Sequence, residues 1–214
     1  ITSELRNFAQ SIHIDKDLHI AGHSLGGSVA TVYASQYPFD TQSLFLLSSA
    51  GIYKQANTRY AKDPKTLKNL LVYKQGDFEQ VIHKLMTKPP KVPSELKEAQ
   101  EQILISRSAK TNQAIDQIVK LNRIYTPDTF AQLTRNVEAP TLIMWGKQDQ
   151  IINYEVASEL HQLLKRSEKP IILNNVGHMP IIEAEKLVAQ HYLPFLSKTQ
   201  DLKNPLADKL ISFN

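Results

Sequence analysis

The sequence predicts an α/β fold, a mostly parallel sheet with helices on both faces and an all-helical cap inserted between two of its strands. Continuous apolar runs at residues 18–21, 43–48, 139–146 and 170–173 alternate with helical patterns, which is typical of strands buried on both faces. Between residues 52 and 136 the strand-like runs stop and helical patterns follow one another. Such a block between two strands is most simply a cap over one end of the sheet.

The helices follow from apolar side chains at helical spacing and from residues that end a helix. Residues 3–14 place their apolar side chains on one face, which predicts a helix lying against the sheet. Pro38 ends the helix that begins at Leu25, and the prolines of residues 88–93 forbid a helix there. Helices are predicted at residues 3–14, 25–37, 66–74, 78–86, 94–108, 112–125, 128–135, 154–165 and 183–195.

The interruption of the sheet divides the chain into four predicted segments. A separate helical domain with no role in binding is the alternative to a cap, but the block directly follows a sheet strand, which favours a cap. The predicted segments are the first part of the core (1–51), the cap (52–136), the second part of the core (137–196) and a C-terminal tail (197–214).

The composition is that of an ordinary globular chain. Of the 214 residues, 42% are hydrophobic and 21% are charged, which argues against disorder. The net charge is +4, but the basic residues are interleaved with acidic ones, so we expect no nucleic-acid partner. No cysteine is present, and no apolar run approaches the length of a membrane span. The chain begins at Ile1 rather than at Met, so we expect that an upstream segment precedes it, and the compartment stays open.

A serine between glycines follows the first apolar run. The sequence Gly-His-Ser-Leu-Gly at residues 22–26 indicates a nucleophile elbow, a strained strand-to-helix turn that presents the hydroxyl group of Ser24. We expect Gly22 and Gly26 to be required because a Cβ atom at either position would collide with a neighbouring element. Strand alternation points His23 away from the nucleophile, so we interpret it as packing support.

Three residues that can form a catalytic triad each follow a predicted strand. Ser24, Asp149 and His178 therefore project from the same edge of the sheet, in the order serine, acid, histidine. His178 would take the serine proton, Asp149 would orient the imidazole, and the backbone amide of Leu25 would donate one hydrogen bond to the oxyanion. Glu183 could orient His178 or cap the last helix, and we favour the cap.

The remaining acidic and histidine residues are weaker candidates. Asp15 and Asp17 would compete with Asp149 only if the strand assignment were wrong. Five histidines lack metal-ligand spacing, so we predict no metal site. They are His13, His19, His83, His161 and His191.

The chain resembles the α/β-hydrolase superfamily in three motifs. These are Gly-His-Ser-Leu-Gly-Gly at 22–27, Trp-Gly-Lys-Gln-Asp-Gln-Ile at 145–151 and Val-Gly-His at 176–178. Further motifs at 76–78, 86–90, 93 and 174–180 resemble the family V lipases of Gram-negative bacteria. The resemblance implies hydrolysis of acylglycerols or similar esters without a cofactor. It also implies a protein that is often exported or attached to the cell envelope, and a cytoplasmic location stays open.

One part of the superfamily pattern has no match in this chain. Members begin with strands and with a His-Gly loop that supplies the second oxyanion donor. We therefore expect the elbow strand to be an unpaired sheet edge, open to self-association with a second copy. We also expect these 214 residues alone to have little esterase activity.

The predicted function is that of a serine carboxylic-ester hydrolase that cleaves lipid-like acyl esters through an acyl-enzyme on Ser24. The predicted partner is a small-molecule acyl ester or lipid substrate. A carbon-carbon bond hydrolase and a perhydrolase use the same triad and are the alternatives among enzymes. A non-catalytic module that binds a ligand in the capped pocket is the alternative of a different class.

Overall fold

The computed structural model describes residues 1–55 and 57–202. Its centre is a four-stranded parallel sheet with the strand order β1-β2-β3-β4, so the predicted parallel sheet is confirmed. The strands are β1 (Leu18–His23), β2 (Thr41–Leu47), β3 (Thr141–Gly146) and β4 (Ile171–Leu173). The strand β1 lies at one edge and pairs with β2 through the register Gly22 to Leu46 and His23 to Leu47.

Helices cover the sheet and fill the long connection between β2 and β3. They are α1 (Thr2–Ser11), α2 (Leu25–Gln36), α3 (Arg59–Lys62), a 3₁₀ helix (Pro64–Leu70), α4 (Asp77–Leu85), α5 (Ser94–Ile124), α6 (Pro127–Arg135), α7 (Val156–Leu163), α8 (Pro180–Glu183) and α9 (Glu185–Gln200).

Three of the predicted helices differ from the structure. The two predicted at 94–108 and 112–125 form the single helix α5, because no Pro or Gly breaks the polar stretch between them. The helix predicted at 66–74 is largely the 3₁₀ helix, whose first turn is held by the side chain of Asp63 accepting from the Lys65 amide. The predicted tail 197–214 begins inside α9, and its residues from 203 onward lie outside the described residues.

The hydrophobic core lies on both faces of the sheet. Alternate residues of β2 point to opposite faces, so Leu44 and Leu46 join one cluster while Phe45 and Leu47 join the other. The first cluster also contains side chains from α2, α6 and α7, and the second contains side chains from α9. This double coverage explains why β2 and β3 are continuous apolar runs and are buried along their whole length.

The predicted cap range leaves the core and returns to it at neighbouring points. Lys54 Nζ lies 2.5 Å from Asp128 Oδ1, and the rings of Tyr53 and Phe130 meet edge to face with their centroids 5.6 Å apart. Phe130 lies on α6 and belongs to the first core cluster, so α6 covers the sheet although it falls within residues 52–136.

Inside this range a buried carboxylate joins two helices. Glu101 on α5 is only 6% exposed, and its Oε1 accepts hydrogen bonds from the amides of Gly76 (2.8 Å) and Phe78 (3.0 Å) at the start of α4. A carboxylate at this end of a helix is favoured by the helix dipole and satisfies amides that have no acceptor within the helix.

The apolar face of α1 is not covered by the described residues. Ala9 is its buried residue, whereas Leu5, Phe8 and Ile12 are 46%, 61% and 45% exposed, so the expected packing of this face against the sheet is not observed. The helix is held instead by an ion pair of 2.6 Å between Arg6 Nε and Asp40 Oδ2. Within the described ranges, no helix combines the length and the hydropathy needed to cross a bilayer.

Candidate active site

Ser24 occupies a sharp turn between β1 and α2. Its backbone has φ +50° and ψ −124°, a conformation that is costly for a residue with a side chain and that persists only where its surroundings impose it. The Ser24 amide donates to the Leu47 carbonyl (3.1 Å), and the Ser24 carbonyl accepts from the amides of Gly27 (2.9 Å) and Ala50 (2.8 Å). The neighbouring strand β2 and its exit therefore hold the elbow in place.

Close backbone approach explains two of the glycines around the elbow. A Cβ atom on Gly22 would lie 2.4 Å from the Gly26 carbonyl oxygen, and one on Gly27 would lie 2.2 Å from Ser49 Oγ. A Cβ atom on Gly26 would meet nothing within 4 Å among the described residues. The expected collision is therefore confirmed at Gly22 and wrong at Gly26, whose neighbourhood is open.

The structure brings Ser24, His178 and Asp149 together in one hydrogen-bonded chain. Ser24 Oγ lies 2.9 Å from His178 Nε2, and His178 Nδ1 lies 2.8 Å from Asp149 Oδ2. The three residues follow β1, β4 and β3 respectively, at the carboxyl edge of the sheet. Asp15 and Asp17 precede β1 and so lie at the opposite end of that strand.

The surroundings of Asp149 determine the tautomer of His178. The Asp149 side chain is 0% exposed, and its Oδ1 accepts the amides of Ile151 (2.8 Å) and Ile152 (2.9 Å). These bonds satisfy one oxygen and leave Oδ2 to accept the Nδ1 proton of His178. The Nε2 atom of His178 is then unprotonated and able to accept the hydroxyl proton of Ser24.

His23 contacts the backbone of His178. Its Nε2 atom donates to the His178 carbonyl over 2.7 Å, and the two imidazole rings lie with their centroids 5.0 Å apart. Burial lowers the pKa of His23 below its ordinary value, which favours the neutral ring. His23 is the last residue of β1, at the carboxyl edge of the sheet, and this bond gives it the supporting role predicted for it.

Glu183 binds backbone amides on both sides of His178. Its Oε1 accepts from the amides of Gly177 (2.9 Å) and Met179 (3.4 Å). The prediction that Glu183 caps the last helix is wrong, since α9 begins after Ala184, which provides no side-chain cap. The short spacing from His178 to Glu183 is the sequence signal that indicates an orienting role, the alternative interpretation.

The amide of Leu25 is the predicted oxyanion donor. Leu25 is the first residue of α2, and the first amides of a helix have no acceptor within it. Among residues 1–55 and 57–202, no group of three or more His, Asp or Glu side chains is arranged to hold a metal ion.

Several known proteins similar to this chain are named as lipases or as a phospholipase. The chain is 30% identical to lipase 3 of Moraxella sp., over 90% of this chain and 60% of that protein. A crystal structure of a candidate lipase from Acinetobacter baumannii AYE is 54% identical with a TM-score of 0.91, covering 93% of this chain and 67% of that one. A bacterial membrane phospholipase A is 30% identical with a TM-score of 0.83, covering 94% and 63%.

The match to a protein family extends over most of the chain. Residues 3–185 fit the family described as alpha/beta hydrolase fold, and this range includes the elbow and all three residues of the hydrogen-bonded chain. The chain spans 60% of the length of the curated Moraxella relative. This chain belongs to the alpha/beta hydrolase fold family.

Proposed function

We propose that the protein is a serine carboxylic-ester hydrolase that cleaves lipid-like acyl esters through an acyl-enzyme on Ser24. The observation that carries this proposal is the continuous hydrogen-bonded chain from Ser24 Oγ through His178 to Asp149. A serine hydroxyl is a weak nucleophile until a base takes its proton, and this geometry provides that base.

In the first half of the reaction Ser24 Oγ attacks the ester carbonyl carbon while His178 Nε2 takes the hydroxyl proton. Asp149 stabilises the resulting imidazolium without itself being protonated. The tetrahedral intermediate collapses when His178 returns its proton to the departing alkoxide. The products of this half are the free alcohol and an acyl group bonded to Ser24.

In the second half a water molecule replaces the alcohol. His178 takes a proton from that water, and the hydroxide oxygen attacks the acyl carbon. His178 then protonates Ser24 Oγ as the bond breaks, which releases the carboxylic acid and restores the starting state.

The proposed oxyanion donor is the Leu25 amide. Leu25 directly follows Ser24, and its N–H belongs to the positive end of the dipole of α2. Each preorganised donor of this kind is worth about 2.7 to 4 kcal/mol in the transition state.

The proposed substrate class rests on the named relatives and on the cap. The relatives are named lipases and a phospholipase. The Leu85 carbonyl at the end of α4 accepts the His178 amide over 2.7 Å, which supports placing the proposed cap, residues 52–136, over the reactive edge. Apolar side chains proposed to accept an acyl chain are Phe78, Val81, Ile82, Leu85, Ile103 and Leu104.

A fluorophosphonate probe tests the chemistry. In the complete natural protein we expect the probe to label Ser24, identified by mass spectrometry of the digest, and Ser24→Ala to abolish both labelling and ester hydrolysis. Ser158→Ala, which alters an exposed serine of α7, is the matched control. Normal hydrolysis by the Ser24→Ala protein would disprove the proposal. Labelling without hydrolysis of any ester in a panel would favour carbon-carbon cleavage or perhydrolysis.

A further inference from the structure

Glu183 connects the loop of the reactive histidine to the cap. Its Oε1 binds the Gly177 and Met179 amides, and its Oε2 accepts the amides of Thr87 (2.7 Å) and Lys88 (3.1 Å), which follow α4. One carboxylate therefore accepts four backbone amides from two segments that lie about ninety residues apart in the chain.

A second contact joins the same two segments. The His178 amide donates to the Leu85 carbonyl over 2.7 Å, and Leu85 ends α4, where carbonyl groups find no N–H donor within the helix. The segments approach so closely that a Cβ atom on Gly177 would lie 2.8 Å from the Leu85 oxygen and 3.1 Å from the Thr87 amide nitrogen. The successive amides of residues 177, 178 and 179 are thus all bonded at this junction.

We propose that Glu183 is a positioning residue that couples the cap to His178. Only the expected effect of this coupling on catalysis rests on the proposed function. Both carboxylate oxygens of Glu183 face N–H donors, so this position requires a side chain with two acceptor oxygens. A shift of residues 86–88 is transmitted through Glu183 to the loop that fixes the distance from His178 Nε2 to Ser24 Oγ.

Glu183→Gln keeps the size of the side chain but removes its charge and one of its two acceptor oxygens. The glutamine amide has one oxygen, so in either orientation an NH₂ group confronts two N–H donors and one pair of bonds is lost. We expect Glu183→Gln to lower kcat by about 10- to 100-fold and to change KM by less than about threefold. Displacement of His178 weakens the proton transfer from Ser24, which acts on turnover and not on substrate binding. Glu185→Gln, an exposed glutamate in the first turn of α9, is the control and should leave both constants unchanged.

Hydrogen exchange measures the coupling without any substrate. In the complete natural protein carrying Glu183→Gln, we expect peptides covering residues 84–90 and 174–184 both to exchange faster, with no change in peptides of β2 and β3. The Glu185→Gln protein should exchange like the wild type in both peptides. If Glu183→Gln does not fold, Glu183→Asp, which keeps the charge but is too short to reach both segments, carries the same measurements.

The outcomes separate this proposal from the proposed function. Loss of kcat together with faster exchange in both peptides supports the coupling. Unchanged kcat, a loss confined to KM, or unchanged exchange in residues 84–90 overturns it. If the wild-type protein neither hydrolyses esters nor reacts with the fluorophosphonate, the proposed function fails, and exchange in the two peptides alone decides whether Glu183 couples them.

Discussion

Asp149→Asn changes the tautomer of His178 while preserving the fold around it. Oδ1 of Asp149 accepts the Ile151 and Ile152 amides, so the asparagine oxygen is expected to take that position and its NH₂ group to face His178 Nδ1. Nδ1 must then accept a hydrogen bond, and the imidazole proton moves to Nε2. In that form His178 donates to Ser24 and cannot take its proton.

The expected loss follows from that exchange of roles. An incorrect tautomer in a Ser-His-Asp triad costs about 10⁴ in kcat, or about 5.4 kcal/mol at 1.36 kcal/mol for each factor of ten. The free energy of unfolding should change by only about 1 kcal/mol, since the hydrogen bonds are kept and only the charge of their acceptor is lost. Asp149→Ala should reduce kcat as strongly, but it leaves two buried amides unpaired and so costs about 2 to 6 kcal/mol of stability.

The assay pairs initial rates on a soluble p-nitrophenyl ester with urea unfolding of the same samples. Asp201→Asn, an exposed aspartate just after α9, is the control for loss of one carboxylate. If the Asp149→Asn protein keeps more than about a tenth of the wild-type kcat, the assigned tautomer is wrong. Equal stability of the asparagine and alanine variants would refute the assigned role of Oδ1.

Three further predictions concern the substrate, His23 and the glycines. Esters of octanoate should exceed acetate esters in kcat/KM by more than about tenfold, because each buried methylene contributes up to about 0.8 kcal/mol; a flat series measured with p-nitrophenyl esters would favour a small-substrate esterase or a perhydrolase. The pKa of His23 is lowered in the folded protein, so the imidazole binds a proton more readily in the unfolded chain. The free energy of unfolding should therefore fall as the pH drops below about 6.5. Urea titrations of His23→Gln should show a weaker fall. An identical pH dependence in the two proteins would contradict this account of His23. Gly27→Ala should lower the free energy of unfolding by about 1 to 3 kcal/mol because its Cβ overlaps Ser49, whereas Gly26→Ala in open space should raise it slightly; the reverse order in urea unfolding would count against the observed packing.

Local sequence patterns predict the elements and the proposed reacting residues because both depend on short-range information. The strands β2 and β3 are buried on both faces, so their apolar runs are unmistakable. Ser24, Asp149 and His178 each follow a strand, and parallel strands place their carboxyl ends on one edge, so their proximity follows from the topology.

The contacts that hold His178 could not be predicted in the same way. His23 and His178 are 155 residues apart, and their bond joins a side chain to a carbonyl group, which leaves no periodic signal in the sequence. The four amides bound by Glu183 are likewise invisible to side-chain patterns. The apolar face of α1 shows a different limit of sequence patterns. Its amphipathicity predicts that Phe8 should be covered, but it does not identify what covers it.

The proximity of Lys54 and Asp128 has a consequence for how the proposed enzyme can be recombined with related chains. Because the chain leaves and re-enters the core at one point, the intervening residues form an insertion whose ends are already together. Doubling the length of such a loop costs only about 0.6 kcal/mol of closure entropy. We therefore expect proposed caps of different size to be exchangeable at this junction with β2, β3 and α6 left intact. A chimaera of the proposed hydrolase should then take its acyl preference from the donor of the cap and its nucleophile from the donor of the sheet.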